Sequence, residues 1–219
     1  MSSEIEVQRD YWNREISTFG SIYSKDKSKF SIWLDKVFRW DMFERFAFTI
    51  QNCEPIEGRT FLDVGCGTGI FSIELAKKGA AKAVGLDIAE NMVEQSAQGA
   101  EDGGVADKCS FSHSDLLEWE PDAIFDVTFG IGLFDYIGDA LPVLKKMREV
   151  SSDKAIVSFP RFWTWRAPVR KLRLSVRGCP VYFFTKRRIA ELVKQAGFAR
   201  HTVTKVGKLH CVVAYCGKE

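Results

Sequence analysis

Residues 60–69 read Thr60-Phe61-Leu62-Asp63-Val64-Gly65-Cys66-Gly67-Thr68-Gly69, and this stretch decides the fold. The run from Phe61 to Val64 reads as a buried strand with one acid, Asp63, inside it. It ends in Gly65-x-Gly67-x-Gly69, and an amphipathic helix from Ile70 to Lys78 follows at once. A strand that turns through glycines into a helix gathers bare backbone N–H groups and the positive end of a helix at one point. Such a point holds a nucleotide or an amino-acid carboxylate. Asp63 and the small polar turn favour a ligand that also carries a free amino group.

Glycines at this spacing also serve ordinary left-handed turns. A nicotinamide-binding fingerprint, G-x-G-x-x-G counted from Gly65, needs its third glycine where this chain has Ile70. With Asp63 two places before Gly65, the stretch instead resembles the first motif of the class I S-adenosylmethionine-dependent methyltransferases, D/E-x-G-x-G-x-G. The match is carried by Asp63, Gly65, Gly67 and Gly69.

Three further elements fall where that family has them. Ala83 to Asp87 is a second apolar strand ending in an acid, about twenty residues past the glycines. That reach suits a carboxylate accepting both ribose hydroxyls; the alternative is a cap for a helix from Ala89 to Gln98. Ser110 to Leu116 reads as a third strand ending at Asp115, where the family often receives the adenine amino group, or as a plain surface turn. Phe125 to Ile131 is a fourth strand, and Gly130 to Asp135 should then line the reaction chamber. The resemblance implies S-adenosylmethionine as cofactor and S-adenosylhomocysteine as product. It implies contacts from Asp63, Gly65, Cys66, Gly67, Gly69, Asp87, Ile88, Met92, Asp115, Leu116 and Gly130.

At 219 residues the chain suits one domain with a substantial core. Hydrophobic residues at 46% and charged residues at 27% are ordinary for a soluble protein. No apolar run has the length of a membrane span, and the polar start, Met-Ser-Ser-Glu-Ile-Glu, lacks the pattern of a secretory signal. The six cysteines, at 53, 66, 109, 179, 211 and 216, form no C-x-x-C pair, which argues against zinc and against a disulfide framework. A reducing, cytoplasmic setting is the simplest expectation. A net charge of +2 announces no nucleic-acid partner. One compositional shift stands out: Arg161, Arg166, Arg170, Lys171, Arg173, Arg177, Lys186, Arg187 and Arg188 occur with no acid among them.

The expected organisation is a single α/β domain. A helical cap over 1–58 carries aromatics at helical spacing (Trp33, Phe38, Trp40, Phe43, Phe46 and Phe48), read as core. The cofactor-binding core over 59–159 alternates strands (60–65, 82–87, 109–114, 124–131, 153–159) with helices (69–78, 89–100, 139–150). Such alternation implies a parallel sheet with helices on both faces. An insertion over 160–184 follows, where a helical reading gives an apolar stripe beside an arginine stripe. In 185–219 a helix starts at a Thr185 cap and stops at Gly197, ahead of strands 199–206 and 208–216. So short a connection as Gly207 makes a hairpin. The expected fold is therefore Rossmann-like: a seven-stranded, mostly parallel sheet with an antiparallel last strand.

Methyl transfer from a sulfonium is an in-line displacement, so the protein must mainly align nucleophile and methyl. It also removes a proton where the nucleophile is a hydroxyl, phenol or ammonium. The stretch Gly132-Leu133-Phe134-Asp135-Tyr136 delivers Asp135 and Tyr136 to the carboxyl ends of the strands, as a base and an acceptor contact, or as a turn cap and a packing residue. This tail and the N-terminal Phe19-x-x-Ile22-Tyr23-Ser24 are loosely similar to the magnesium-protoporphyrin O-methyltransferases. That similarity implies that Tyr23 approaches the methyl donor and that Asp135 takes the base position, where those enzymes carry a histidine. His113 lies on the third strand, and His201 and His210 in the final hairpin read as surface or packing residues. No Asn/Asp-Pro-Pro-Tyr/Phe motif and no Pro-Cys pair follows the fourth strand, which disfavours nucleic-acid methylation. Arg161, Trp163 and Arg166 are candidates for the acceptor wall, against a merely solvated basic face or contact with an acidic membrane surface. The leading expectation is transfer to an O or N atom of a small acidic or amphiphilic molecule, by a monomer or homodimer without metal. The rivals are a non-catalytic cofactor-binding protein, a nicotinamide oxidoreductase and a tetrapyrrole carboxylate methyltransferase.

Overall fold

Seven strands share one sheet in the computed structural model, which describes residues 42–161 and 181–217. A helix over residues 42–53 (α1) precedes the sheet. Then come β1 (Thr60–Val64), α2 (Ile70–Lys77), β2 (Lys82–Asp87), α3 (Glu90–Asp102) and β3 (Cys109–His113). β4 (Phe125–Gly130), α4 (Ala140–Glu149) and β5 (Ser151–Pro160) complete the alternation. α5 (Lys186–Gln195) leads into β6 (Arg200–Val206) and β7 (Leu209–Tyr215). The spatial order is β3-β2-β1-β4-β5-β7-β6. All neighbours from β3 to β5 run parallel; β7 runs antiparallel to both β5 and β6. This is the expected arrangement, and it differs from a dinucleotide-binding sheet continued by parallel crossovers.

Strand alternation divides the core into two layers. Leu62, Val64, Val157, Phe159 and Val212 pack against Leu144 and Met147 of α4 and Ile189 and Leu192 of α5. Phe61, Phe129, Ile156 and Val213 pack on the other face against Ile50 and Cys53 of α1 and Phe71 and Leu75 of α2. β4 contributes Phe125 to the first layer but Val127 and Phe129 to the second. A register shift between Phe125 and Val127 accounts for the change of side. Phe46 stacks on Phe71 at 5.1 Å between ring centres, tying α1 to α2. Phe43 departs from the expected aromatic core: it is 63% exposed although helical spacing puts it on the same side of α1 as Ile50, two turns further on.

Local signals set most element ends. Thr185 Oγ1 accepts a hydrogen bond from the Arg188 N–H at 3.2 Å, and Gly197, at φ +91°, follows the end of α5. Asp139 Oδ1 accepts from the Leu141 N–H and caps α4. β3 stops at His113, short of the expected end at Asp115. The Ser114 N–H still donates to the Asp87 carbonyl, but Asp115 then closes a turn by accepting from the Leu117 N–H at 3.0 Å. The first part of the expected helical cap with Trp33, Phe38 and Trp40, together with Tyr23, Trp163, Arg166, Cys179 and the arginine stripe, lies outside the described residues.

Gly85 on β2 has no room for a side chain. A Cβ there would sit 2.6 Å from the Phe111 ring and 2.9 Å from Cys66 Sγ. Gly85→Ala should therefore destabilise the fold by about 1–3 kcal/mol through overpacking, read from the urea midpoint. An unchanged midpoint would mean that Phe111 moves aside freely.

Candidate functional site

The site is assembled at the carboxyl ends of β1, β2 and β4, where open parallel sheets bind ligands. Gly65, Gly67 and Gly69 have φ of +71°, +54° and +68°. All three lie in the left-handed region that other residues adopt only with strain. Their surroundings differ. A Cβ on Gly69 would press on the Phe111 ring at 2.9 Å and on Ser96 at 3.0 Å, so this glycine serves packing. A Cβ on Gly67 would meet nothing within 4 Å, so the turn opens there onto free space. No side chain caps the start of α2 beyond Gly69. Its first N–H groups keep their donor capacity for something outside the helix.

A buried carboxylate, Asp63, and a half-buried one, Asp87, flank this turn. Asp63 is 2% exposed, and its Oδ2 accepts from the Ser72 hydroxyl at 3.1 Å. Burial raises its pKa from 3.8 to about 8, the Asp87 charge adding to the effect and the Ser72 bond opposing it. Asp87 accepts from the Gly67 N–H at 2.8 Å and from the Ala89 N–H at 2.9 Å. It thus secures the glycine turn and the approach to α3, whose N-cap residue is Ala89 and which has no side-chain cap. Burial pushes its carboxyl above the ordinary value, against those same hydrogen bonds. Cys66, 5% exposed and within hydrogen-bonding range of Ser96, has its thiol pushed well up by burial. It fills space beside Gly85 and is no nucleophile.

A cavity of about 480 Å³ opens from the turn. Asp63, Gly65, Cys66, Gly67, Asp87, Ile88, Met92, Asp115 and Leu116 line it, and so do Asp135 and Tyr136. Gly69 and Gly130 are not part of the lining; Leu133 lies over Gly130, 3.2 Å from where its Cβ would be. Leu133 reaches Gly65 in the same way, at 3.1 Å. Asp135 is 5% exposed, and its carbonyl accepts from the Tyr182 N–H at 2.9 Å. Arg161 also stands outside the lining, with Nη1 donating to the Gly207 carbonyl at 3.2 Å in the β6–β7 turn. Just past β5, the Arg161 N–H donates to the Lys208 carbonyl at 3.1 Å and the residue bridges to Phe184, which sets its side chain against the hairpin turn. His113 is exposed with Nε2 3.0 Å from the Ile88 carbonyl. His210 is buried, its pKa lowered by burial and by Arg161 and Lys186.

Leu133 belongs to the stretch from Gly130 to Asp135 expected to line the chamber, and it lines the cavity. Among the lining residues that the sequence reading did not single out is Arg45. Arg45 lies on α1, among aromatics whose periodicity signals only packing. Among the described residues no group of three or more His, Cys, Asp or Glu side chains could hold a metal ion, and no helix is long and apolar enough to cross a membrane.

A glycine turn opening onto a cavity between two acids at the carboxyl ends of a parallel sheet defines a Rossmann-like cofactor-binding domain. The sequence matches the family described as "Methyltransferase domain" over residues 56–197, and the chain belongs to that family. It is 36% identical over 122 residues to the demethylmenaquinone methyltransferase of Bacillus subtilis (strain 168), covering 54% of this chain and 46% of that protein. It is 45% identical over 53 residues to the ribosomal protein L11 methyltransferase of an Enterobacter strain, 24% of this chain and 18% of that one. The chain thus spans less than half the length of these relatives. Among solved structures, magnesium protoporphyrin IX methyltransferase from Synechocystis PCC 6803 with bound S-adenosylhomocysteine superposes with a TM-score of 0.76 at 21% identity. That match covers 98% of this chain and all of the other. The class I methyltransferase fold expected from the glycine motif is the fold observed.

Proposed function

We propose that this protein is an S-adenosylmethionine-dependent methyltransferase acting on an O or N atom of a small molecule. The observation that carries this reading is the Gly67 opening between Asp63 and Asp87. The donor set fits the cofactor group by group. The buried Asp63, with no cation beside it among the described residues, suits an ammonium, and the open start of α2 suits a carboxylate. Asp87, already oriented by two backbone N–H groups, has lone pairs left for ribose hydroxyls. Asp115 and Leu116, in the lining of the same cavity, are assigned the adenine edge and its ring. The cofactor supplies a methyl activated by a positive sulfur. The protein's share is to orient the partners, exclude water and take a proton from the acceptor.

Asp135 supports this reading as the proton acceptor, buried in the cavity wall on the loop after β4. Tyr136 beside it forms part of the acceptor surface. Tyr23, Trp163 and Arg166 keep their roles from sequence as proposals: approach to the methyl donor for the first, acceptor wall for the others. The deciding experiment is calorimetry with S-adenosylhomocysteine and with NAD, followed by a screen for cofactor turnover in a metabolite pool. Binding without turnover would identify a non-catalytic cofactor protein; NAD binding would overturn the reading.

Asp87→Ala removes the ribose contact and also frees the Gly67 and Ala89 N–H groups. S-adenosylhomocysteine affinity should fall by about 1.5–3 kcal/mol. An unchanged dissociation constant would remove Asp87 from the cofactor site.

A further inference from the structure

The proposed function leaves one charged group of the cavity without a task. Arg45 is the one basic side chain among the described residues that line it, alongside Asp63, Asp87, Asp115, Asp135 and Asp139. No hydrogen bond or ion pair of its guanidinium occurs among the described residues. The acids of the cavity are engaged elsewhere: Asp63 with Ser72, Asp87 with Gly67 and Ala89, Asp115 with Leu117, and Asp139 with Leu141.

Arg45 points from α1 to the loop after β4. Its Nη1 lies 3.3 Å from the place a Cβ on Gly132 would take. Gly132 is itself fixed, with φ +84° and its N–H donating to Ser158 Oγ on β5 at 2.8 Å. The guanidinium therefore rests on the backbone of the loop that also brings Asp135 and Tyr136 to the cavity wall. A partly buried guanidinium offers five N–H donors in a planar fork, a match for a carboxylate. The cofactor's amino-acid end is already served by Asp63 and the start of α2. What remains for Arg45 is the acceptor.

We propose that Arg45 binds a carboxylate of the methyl acceptor, so that the acceptor is a small monocarboxylic acid whose nucleophilic atom faces Asp135. The inference rests on the methyltransferase reading above. A single negative charge suits the cavity better than a phosphate dianion, because five aspartates share its lining with one guanidinium. The cofactor would add one net positive charge beside it.

The test uses the protein saturated with S-adenosylhomocysteine and a thermal-shift panel of 4-hydroxybenzoate, 2-aminobenzoate, 3-hydroxybutyrate and their methyl esters. An acid should raise Tm while its ester does not. Arg45→Met should abolish that difference, and Arg45→Lys should keep part of it. S-adenosylhomocysteine affinity should stay within about twofold in both variants, since neither contacts the cofactor. Loss of tenfold or more in Arg45→Met, with 5′-methylthioadenosine binding unchanged, would overturn the proposal by assigning Arg45 to the cofactor's own carboxylate. A panel in which no acid outperforms its ester overturns it as well. If the wild-type protein fails to bind S-adenosylhomocysteine, it is the methyltransferase reading that falls.

Discussion

Asp63→Asn should weaken S-adenosylhomocysteine binding by about 10²-fold while stabilising the free protein. The two effects share one cause. Asp63 is buried with no neighbouring cation among the described residues, and that burial lifts its pKa from 3.8 to about 8. At neutral pH the free protein holds it mostly protonated. A ligand ammonium restores the reason to ionise, and an unpaired ammonium buried beside asparagine costs about 3 kcal/mol. Binding to the wild type should therefore release close to one proton at pH 7, measurable by calorimetry in buffers of different ionisation enthalpy. Affinity should fall towards tenfold per pH unit below about 8, and the Asn variant should lack this slope. For stability the sign is opposite to that of a salt-bridged aspartate. A folded-state pKa above the unfolded one means a contribution complete below pH 3.8 and lost as pH rises through 8. Asp63→Asn should match the wild type near pH 4 and exceed it by a few kcal/mol at pH 8 in denaturant titrations. Equal stability across that range would show that water reaches Asp63.

Asp135→Asn should lower kcat by about 10²-fold or more and leave S-adenosylhomocysteine affinity close to wild type. The substitution keeps the shape of a buried side chain and removes only its capacity to take a proton. The carbonyl that accepts from Tyr182 is backbone and persists in the variant. The measurement is single-turnover methyl transfer to an acceptor found by the cofactor-turnover screen. Full activity in this variant and in Tyr23→Phe would leave alignment alone as the source of the rate.

What was legible in the sequence is what local chemistry encodes. Asp63 and the three glycines announced a strand, a turn and a helix within a dozen residues. Thr185 and Gly197 marked both ends of α5, and Gly207 forced a hairpin. The missing pieces depend on residues far apart in the chain. Phe43 shares the periodicity of Phe46, yet only the docking of α1 decides which of them is covered. Arg161 sits beside the acceptor rim in sequence, but its backbone bond to Lys208 and its bridge to Phe184 set its side chain against Gly207. Arg45 reaches the cavity only because Gly132, 87 positions later, has no side chain in its way. No periodicity in α1 alone could single it out.

The reversed strand β7 has a consequence for biosynthesis. It lies between β5 and β6, pairing with β5 from Lys154–Tyr215 to Pro160–Leu209. During synthesis β5 must therefore wait, with Ala155, Ile156 and Val157 along a raw edge, until residues beyond 209 have left the ribosome. β6 emerges first but finds no partner in the sheet except β7. The nascent chain thus carries an unshielded apolar strand through the whole interval, the kind of surface that recruits holdase chaperones or aggregates. The last strand to emerge is the one that closes the sheet.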